Sequence, residues 1–178
     1  MKKVILSVIV LGTLSSCVVS TAAKVVKTAG KVAVGTVKTT ARSIGWTVNK
    51  VNGKINENRL DGKWKVTGQY KGNFEQFASQ SDPVNEFSCD AGNEVYEFKM
   101  KKEKLFHYDC GNTEPQKYKI KYSFEKNSET KEHENMITYG PSYFTIIDVT
   151  GDKLALEGYF VEENGSKVKS ICLLEKTK

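Results

Sequence analysis

Apolar and polar positions recur with two different periods along this chain, and the change comes near Leu60. Upstream, Ala22, Val26, Ala29, Ala33, Val37, Thr40, Ile44, Val48, Val51 and Ile55 are spaced by threes and fours in an eleven-residue repeat. That repeat corresponds to about 3.67 residues per turn, so these side chains share one face of a helix. Lys24, Lys27, Lys31, Lys38 and Arg42 cluster on the opposite side. The pattern predicts a basic amphipathic helix within 18–55. Gly30, Gly35 and Gly45 each cost about 1 kcal/mol relative to Ala in a helix. The segment therefore reads as a helix that forms on a surface. A flexible basic tether and a self-associating coil are the alternatives.

Downstream the period becomes two. Trp64, Val66 and Tyr70 alternate with lysines and Thr67, and Tyr96, Phe98 and Met100 with Val95, Glu97 and Lys99. Phe106, Tyr108 and Cys110 follow, then Tyr118, Ile120, Tyr122 and Phe124 against Lys117, Lys119, Lys121 and Ser123. Further strands are predicted near 135–139, 143–149, 153–161 and 167–175. Turn-forming residues separate them at Lys101-Lys102-Glu103, Gly140-Pro141, Thr150-Gly151-Asp152 and Glu163-Asn164-Gly165. About eight short strands predict a mainly β domain, a sandwich or an up-and-down barrel.

The first residues follow neither period. Lys2 and Lys3 precede an apolar run from Val4 to Leu11, the form of a secretory signal and too short for the roughly 20 residues of a spanning helix. Leu14-Ser15-Ser16-Cys17 resembles the lipobox of bacterial lipoproteins. The resemblance implies cleavage after Ser16, diacylglycerol on the Cys17 sulfur and acylation (palmitate or a similar chain) of the new amino terminus. The competing reading is a plain secretory signal. Val18 after the cysteine resembles the outer-membrane sorting pattern of enteric lipoproteins. The expected organisation is a signal peptide at 1–16, an anchor with its basic helix at 17–58, and a β domain at 59–178.

Charge follows these divisions. The formal net charge is +6, but residues 59–178 hold 18 basic and 20 acidic side chains. The basic excess thus belongs to the upstream segment, where it suits an anionic membrane surface. A near-neutral domain argues against nucleic acid as a partner.

Leu60-Asp61-Gly62-Lys63-Trp64-Lys65-Val66 resembles the Gly-x-Trp opening strand of lipocalins. Cys89-Asp90, Val95-Tyr96-Glu97-Phe98 and Cys110 resemble the lipocalin-like domains of secreted bacterial lipoproteins, and Tyr143–Val149 with Asp152–Leu156 resembles their closing hairpin. The resemblance implies a small antiparallel lipocalin-like barrel. Pairing Met100 with Lys104, Phe98 with Phe106 and Tyr96 with Tyr108 sets Cys110 opposite Glu94, where Cys89 can curl back to meet it. A Cys89–Cys110 disulfide is expected, with pairings through Cys172 as the alternative. Cys172, among Ile171, Leu173 and Leu174, otherwise reads as a small buried hydrophobe.

Trp64, Tyr96, Phe98, Phe106, Tyr108, Tyr118, Tyr122 and Phe124 form the candidate lining of a ligand pocket, or else fill the barrel; eight strands permit either. There is no phosphate-cradling loop, nucleophile elbow or zinc motif, so neither a cofactor nor catalysis is expected. Glu132-His133-Glu134 reads as a solvated loop sooner than a metal site. The expectation is an envelope lipoprotein, anchored in membrane lipid, whose barrel binds a small apolar ligand or an envelope protein. A filled barrel that works only through surface contacts is the second reading. A connected apolar cavity of about 300 Å³ or more would separate them.

Overall fold

The computed structural model describes residues 38–40, 47–80, 84–86, 89, 94–110, 114–161 and 166–177. The signal peptide, Cys17, Lys24, Lys27, Lys31 and Arg42 lie outside the described residues. The upstream segment supplies β1 (Lys38–Thr40) and β2 (Thr47–Asn49), which pair antiparallel. Then come a 3-10 turn (Glu57–Leu60), β3 (Gly62–Lys71), α1 (Phe74–Ser79), β4 (Val95–Lys99) and β5 (Lys104–Tyr108). β6 (Gln116–Lys126), β7 (His133–Tyr139), β8 (Ser142–Val149), β9 (Lys153–Val161) and β10 (Lys167–Lys176) complete the chain. From β3 onward each strand pairs antiparallel with the next, and β10 returns to β3, closing an eight-stranded barrel.

The helix expected across 18–55 does not extend over the described part of that range, which holds a strand pair at 38–40 and 47–49. Thr-Val-rich sequence lends itself to either period, and β-branched side chains lose rotamer freedom in a helix. Burial decides the outcome, because Val48 is completely buried against the outside of the barrel.

Two bulges create the surface that Val48 covers. In β3, Leu174 faces Val66 while Leu173 faces Gly68, so Thr67 is an extra residue. An extra residue reverses which side chains face inward. Trp64 and Val66 accordingly point into the barrel, and Tyr70 packs outside it, against the expectation that all three share a face. In β8 the register slips between Ile146 and Asp148. Ile147 is thereby turned outward, its carbonyl accepting from the Val51 N–H at 2.7 Å. The neighbouring Asp148 carboxylate accepts from the Asn49 N–H at 2.8 Å.

The result is an apolar core outside the barrel wall, made by Val48, Tyr70, Phe74, Phe77, Ile147, Ala155, Ile171 and Leu173. α1 contributes Phe74 and Phe77, three residues apart and so on one side of the helix. A reciprocal cap starts it: Asn73 Oδ1 accepts from the Gln76 N–H, and Gln76 Oε1 from the Asn73 N–H, both at 2.9 Å.

The lower end of the barrel is closed by Leu60, Trp64 and Met100, with Ile55 packed against them. The Trp64 indole N–H donates to the Leu60 carbonyl at 2.7 Å, which satisfies the one polar atom of a fully buried side chain. Segment 47–58 is tied down alongside. Asn135 Oδ1 accepts from the Ile55 N–H at 3.0 Å, and Asn135 Nδ2 donates to the Gly53 carbonyl at 2.8 Å.

Candidate functional site

β4 and β5 pair one residue out of the expected register: Tyr96 faces His107, Glu97 faces Phe106 and Phe98 faces Leu105. The cause is the connection. Met100–Lys102 forms a 3-10 turn, and Glu103 adopts the left-handed conformation at φ 49° to reverse the chain. Such a backbone is uncommon for a non-glycine residue, and no glycine in the sequence announces it. The one-residue slip exchanges the two faces of β5. Leu105 becomes a core residue, while Phe106 and Tyr108 stand on the outer wall, leaving the proposed pocket lining.

The other candidate lining residues divide by height. Trp64 and Phe98 are buried low in the barrel. Tyr122 is half-buried and donates to Asn135 Oδ1 at 2.6 Å, bracing the lower segment. Phe124 lies at the lower rim, 5.8 Å from the His133 ring and apart from the core. Tyr96 and Tyr118 belong to the upper half. Tyr118 meets Tyr139 edge-on at 5.6 Å.

The middle of the barrel is occupied by its own side chains. Trp64, Phe98, Leu105, Ile120, Ile137, Ile146, Leu154, Leu156 and Leu174 are each 2% exposed or less. Among the described residues these side chains pack on one another as a single core.

Near the upper end the lining gains polar groups. Tyr96 donates to Glu94 Oε1 at 2.9 Å, and His107 Nε2 lies 2.8 Å from the same oxygen. Tyr96 stacks on His107 at 4.4 Å and meets Phe144 edge-on at 6.0 Å. Phe144 is in turn stacked between Tyr139 at 4.5 Å and Phe160 at 5.4 Å. Burial, with the Glu94 charge second, pushes the Tyr96 hydroxyl and the Cys172 thiol well above their ordinary ranges. Burial also raises Tyr139 to about 12, with Tyr118 adding to it. These groups are therefore neutral at pH 7, Cys172 as a buried, protonated thiol. Glu94, His107, Tyr139, Phe144, Phe160 and Cys172 were not among the pocket residues expected from sequence. The correct β4–β5 register would have found His107, since it puts that ring opposite Tyr96.

Cys89 and Cys110 form a disulfide, Cα atoms 5.8 Å apart, and Cys172 is free and buried. The bridge ties the chain ahead of β4 to the end of β5, beside the Glu94 cluster.

On the outer wall, a cleft of about 260 Å³ lies beside α1 and β2, its walls including Lys50, Phe74, Glu132, Glu134, Glu157 and Lys169. Lys169 bridges Glu129 at 2.8 Å and Glu157 at 3.0 Å. Burial pulls the Lys169 ammonium down in pKa, but the two carboxylates outweigh it and the net shift is upward. Glu134 accepts from Asn127 at 2.6 Å, Thr130 at 2.9 Å and Thr145 at 3.2 Å. Among the described residues no group of three or more His, Cys, Asp or Glu side chains is placed to hold a metal.

Among solved structures, the chain is similar to bovine odorant binding protein in complex with a selenium-containing odorant. The identity is 16%, the TM-score 0.36, and the match covers 72% of this chain and 77% of that one. Bovine odorant binding protein complexed with its natural ligand matches at 15% identity and a TM-score of 0.34, covering 72% and 78%. No family model and no curated protein sequence matches.

Proposed function

We propose that this chain is a bacterial cell-envelope lipoprotein, lipidated at Cys17 and sorted to the outer membrane, whose barrel is a non-enzymatic contact module. The anchor reading rests on Leu14-Ser15-Ser16-Cys17 behind a short basic and apolar leader. The contact-module reading rests on one observation: Trp64, Phe98, Leu105, Ile120, Ile137, Ile146, Leu154, Leu156 and Leu174 face inward and are each 2% exposed or less. Binding then takes place on the outside, between membrane, barrel wall and envelope protein.

A second reading has its own support. Tyr96, Tyr139, Phe144 and Phe160 form a layered aromatic group near the upper end, with Glu94 and His107 beside it. A small apolar or aromatic molecule would rest on that group, mainly through burial at about 25 cal/mol per Å².

Native mass spectrometry of the protein purified from envelopes tests both readings. The expected result is a chain beginning at Cys17, carrying acyl mass, with no second molecule bound. A co-purified small molecule would move the function to the upper barrel end. A mature chain without acyl mass would overturn the anchor.

A further inference from the structure

We propose that the outer face of β4, β5 and β6 is a docking surface for the anionic lipid headgroups of the membrane that carries the protein. The inference deepens the lipoprotein reading and rests on it. The near-neutral sum over residues 59–178 conceals a separation of charge that only the strand register reveals. Lys99 stands directly opposite Lys104, and Lys104 directly opposite Lys119, so three ammonium groups line up across three adjacent strands. Like charges placed opposite one another destabilise a sheet. Local carboxylates relieve this at Lys99 but hardly at Lys104 and Lys119. Glu97 holds Lys99 at 3.0 Å, and Glu103 reaches Lys119 only at 4.0 Å, with both partners exposed. Glu129 and Glu132 lie in the connection from β6 to β7, Glu134 on β7 and Glu157 on β9, where the second cleft is.

Two further features suit a headgroup layer. A recess of about 270 Å³ opens between β5 and β6, lined by Lys102, Glu103, Lys104, Lys117, Tyr118 and Lys119. Four ammonium groups against one carboxylate favour a phosphate-bearing group there. Beside the recess, Phe106 and Tyr108 stand on the outer wall, with Lys99 4.6 Å and Lys63 5.6 Å from their ring centres. Aromatic rings among lysines that keep their charged ends in water are the combination found at membrane interfaces. A basic, aromatic sheet face also resembles a single-strand nucleic-acid platform. The export signal decides between them, because an envelope protein meets lipid headgroups where it works.

The test uses the full mature chain with Cys17→Ser, so that acyl chains do not mask the face. Lys24, Lys27, Lys31, Lys38 and Arg42 are replaced by Gln, so that the upstream segment does not contribute. Binding is measured to phosphatidylglycerol–phosphatidylcholine vesicles and to phosphatidylcholine vesicles. The parent should bind the anionic vesicles selectively and lose them with added salt. Lys104→Gln, Lys117→Gln and Lys119→Gln together should weaken binding about 100-fold, from roughly fivefold per lysine. They should leave thermal stability equal or higher, because aligned like charges are removed. Lys131→Gln with Lys167→Gln should change binding less than twofold. Equal binding of the triple variant, equal binding to neutral vesicles, or tighter binding to oligothymidine would overturn the proposal. Acyl mass at Cys17 in the wild-type protein is a separate readout, so the anchor and the docking face fail independently.

Discussion

Tyr96 and His107 face each other across β4 and β5 with their rings stacked 15° from parallel, and both reach the same oxygen of Glu94. One carboxylate thus supports a buried phenol and an imidazole at once. Glu94→Ala leaves the Tyr96 hydroxyl, in a side chain only 4% exposed, without its acceptor. Stranding a buried donor costs about 1–3 kcal/mol. Urea denaturation should show that loss for Glu94→Ala. Adding Tyr96→Phe should recover part of it, since the orphaned hydroxyl is then gone.

Val48 joins the upstream strand pair to the barrel. Val48→Ala removes two methyl groups from a fully buried site, a loss of about 2 kcal/mol. Hydrogen exchange should place the effect in residues 47–55 and α1, while amides of β5 and β6 keep their protection.

Tyr139 makes stability fall at alkaline pH. Its folded-state pKa is raised to about 12, first by burial and then by Tyr118, against about 10 in an unfolded chain. Between those values the native state keeps a proton that the unfolded state has lost, so stability declines as pH rises through the interval. Tyr139→Phe should flatten the decline, as read by denaturation midpoints at pH 9 and pH 11.

The Cys89–Cys110 bridge spans 21 positions, which corresponds to about 3 kcal/mol in the chain-entropy account. Cys110→Ser should lower stability by about that amount and remove the effect of reductant on the midpoint. Cys172 should resist alkylation in the folded protein and react on unfolding.

Much of the barrel was legible in the sequence. The strands at 153–161 and 167–176 match expectation to within a residue, because their alternation is bounded by Thr150-Gly151-Asp152 and Glu163-Asn164-Gly165. What stayed hidden depends on single backbone residues. Thr67 reverses the facing of β3, and Glu103, left-handed without being glycine, shifts β5 by one position. The shift moved Phe106 and Tyr108 out of the expected pocket and put His107 beside Tyr96. The strand pair at 38–49 escaped notice because Thr and Val satisfied an eleven-residue spacing equally well. The basic wall escaped because a charge total has no geometry, and the Lys99–Lys104–Lys119 alignment exists only once three strands are in register.

The bulge at Thr67 leaves the barrel with apolar packing on both sides of part of its wall. In β10, Ile171, Cys172, Leu173 and Leu174 are consecutive and all buried, facing alternately the outer and the inner core. In β6, by contrast, Ile120 is the one fully buried side chain, with Tyr118 and Tyr122 packed beside it against the inner core. Packing therefore constrains little of the outer face of β6 and almost all of central β10. Descendants of this chain would keep the seam where the ends of the barrel meet nearly constant, while the outward lysines of β6 would be held by their charge and not by packing.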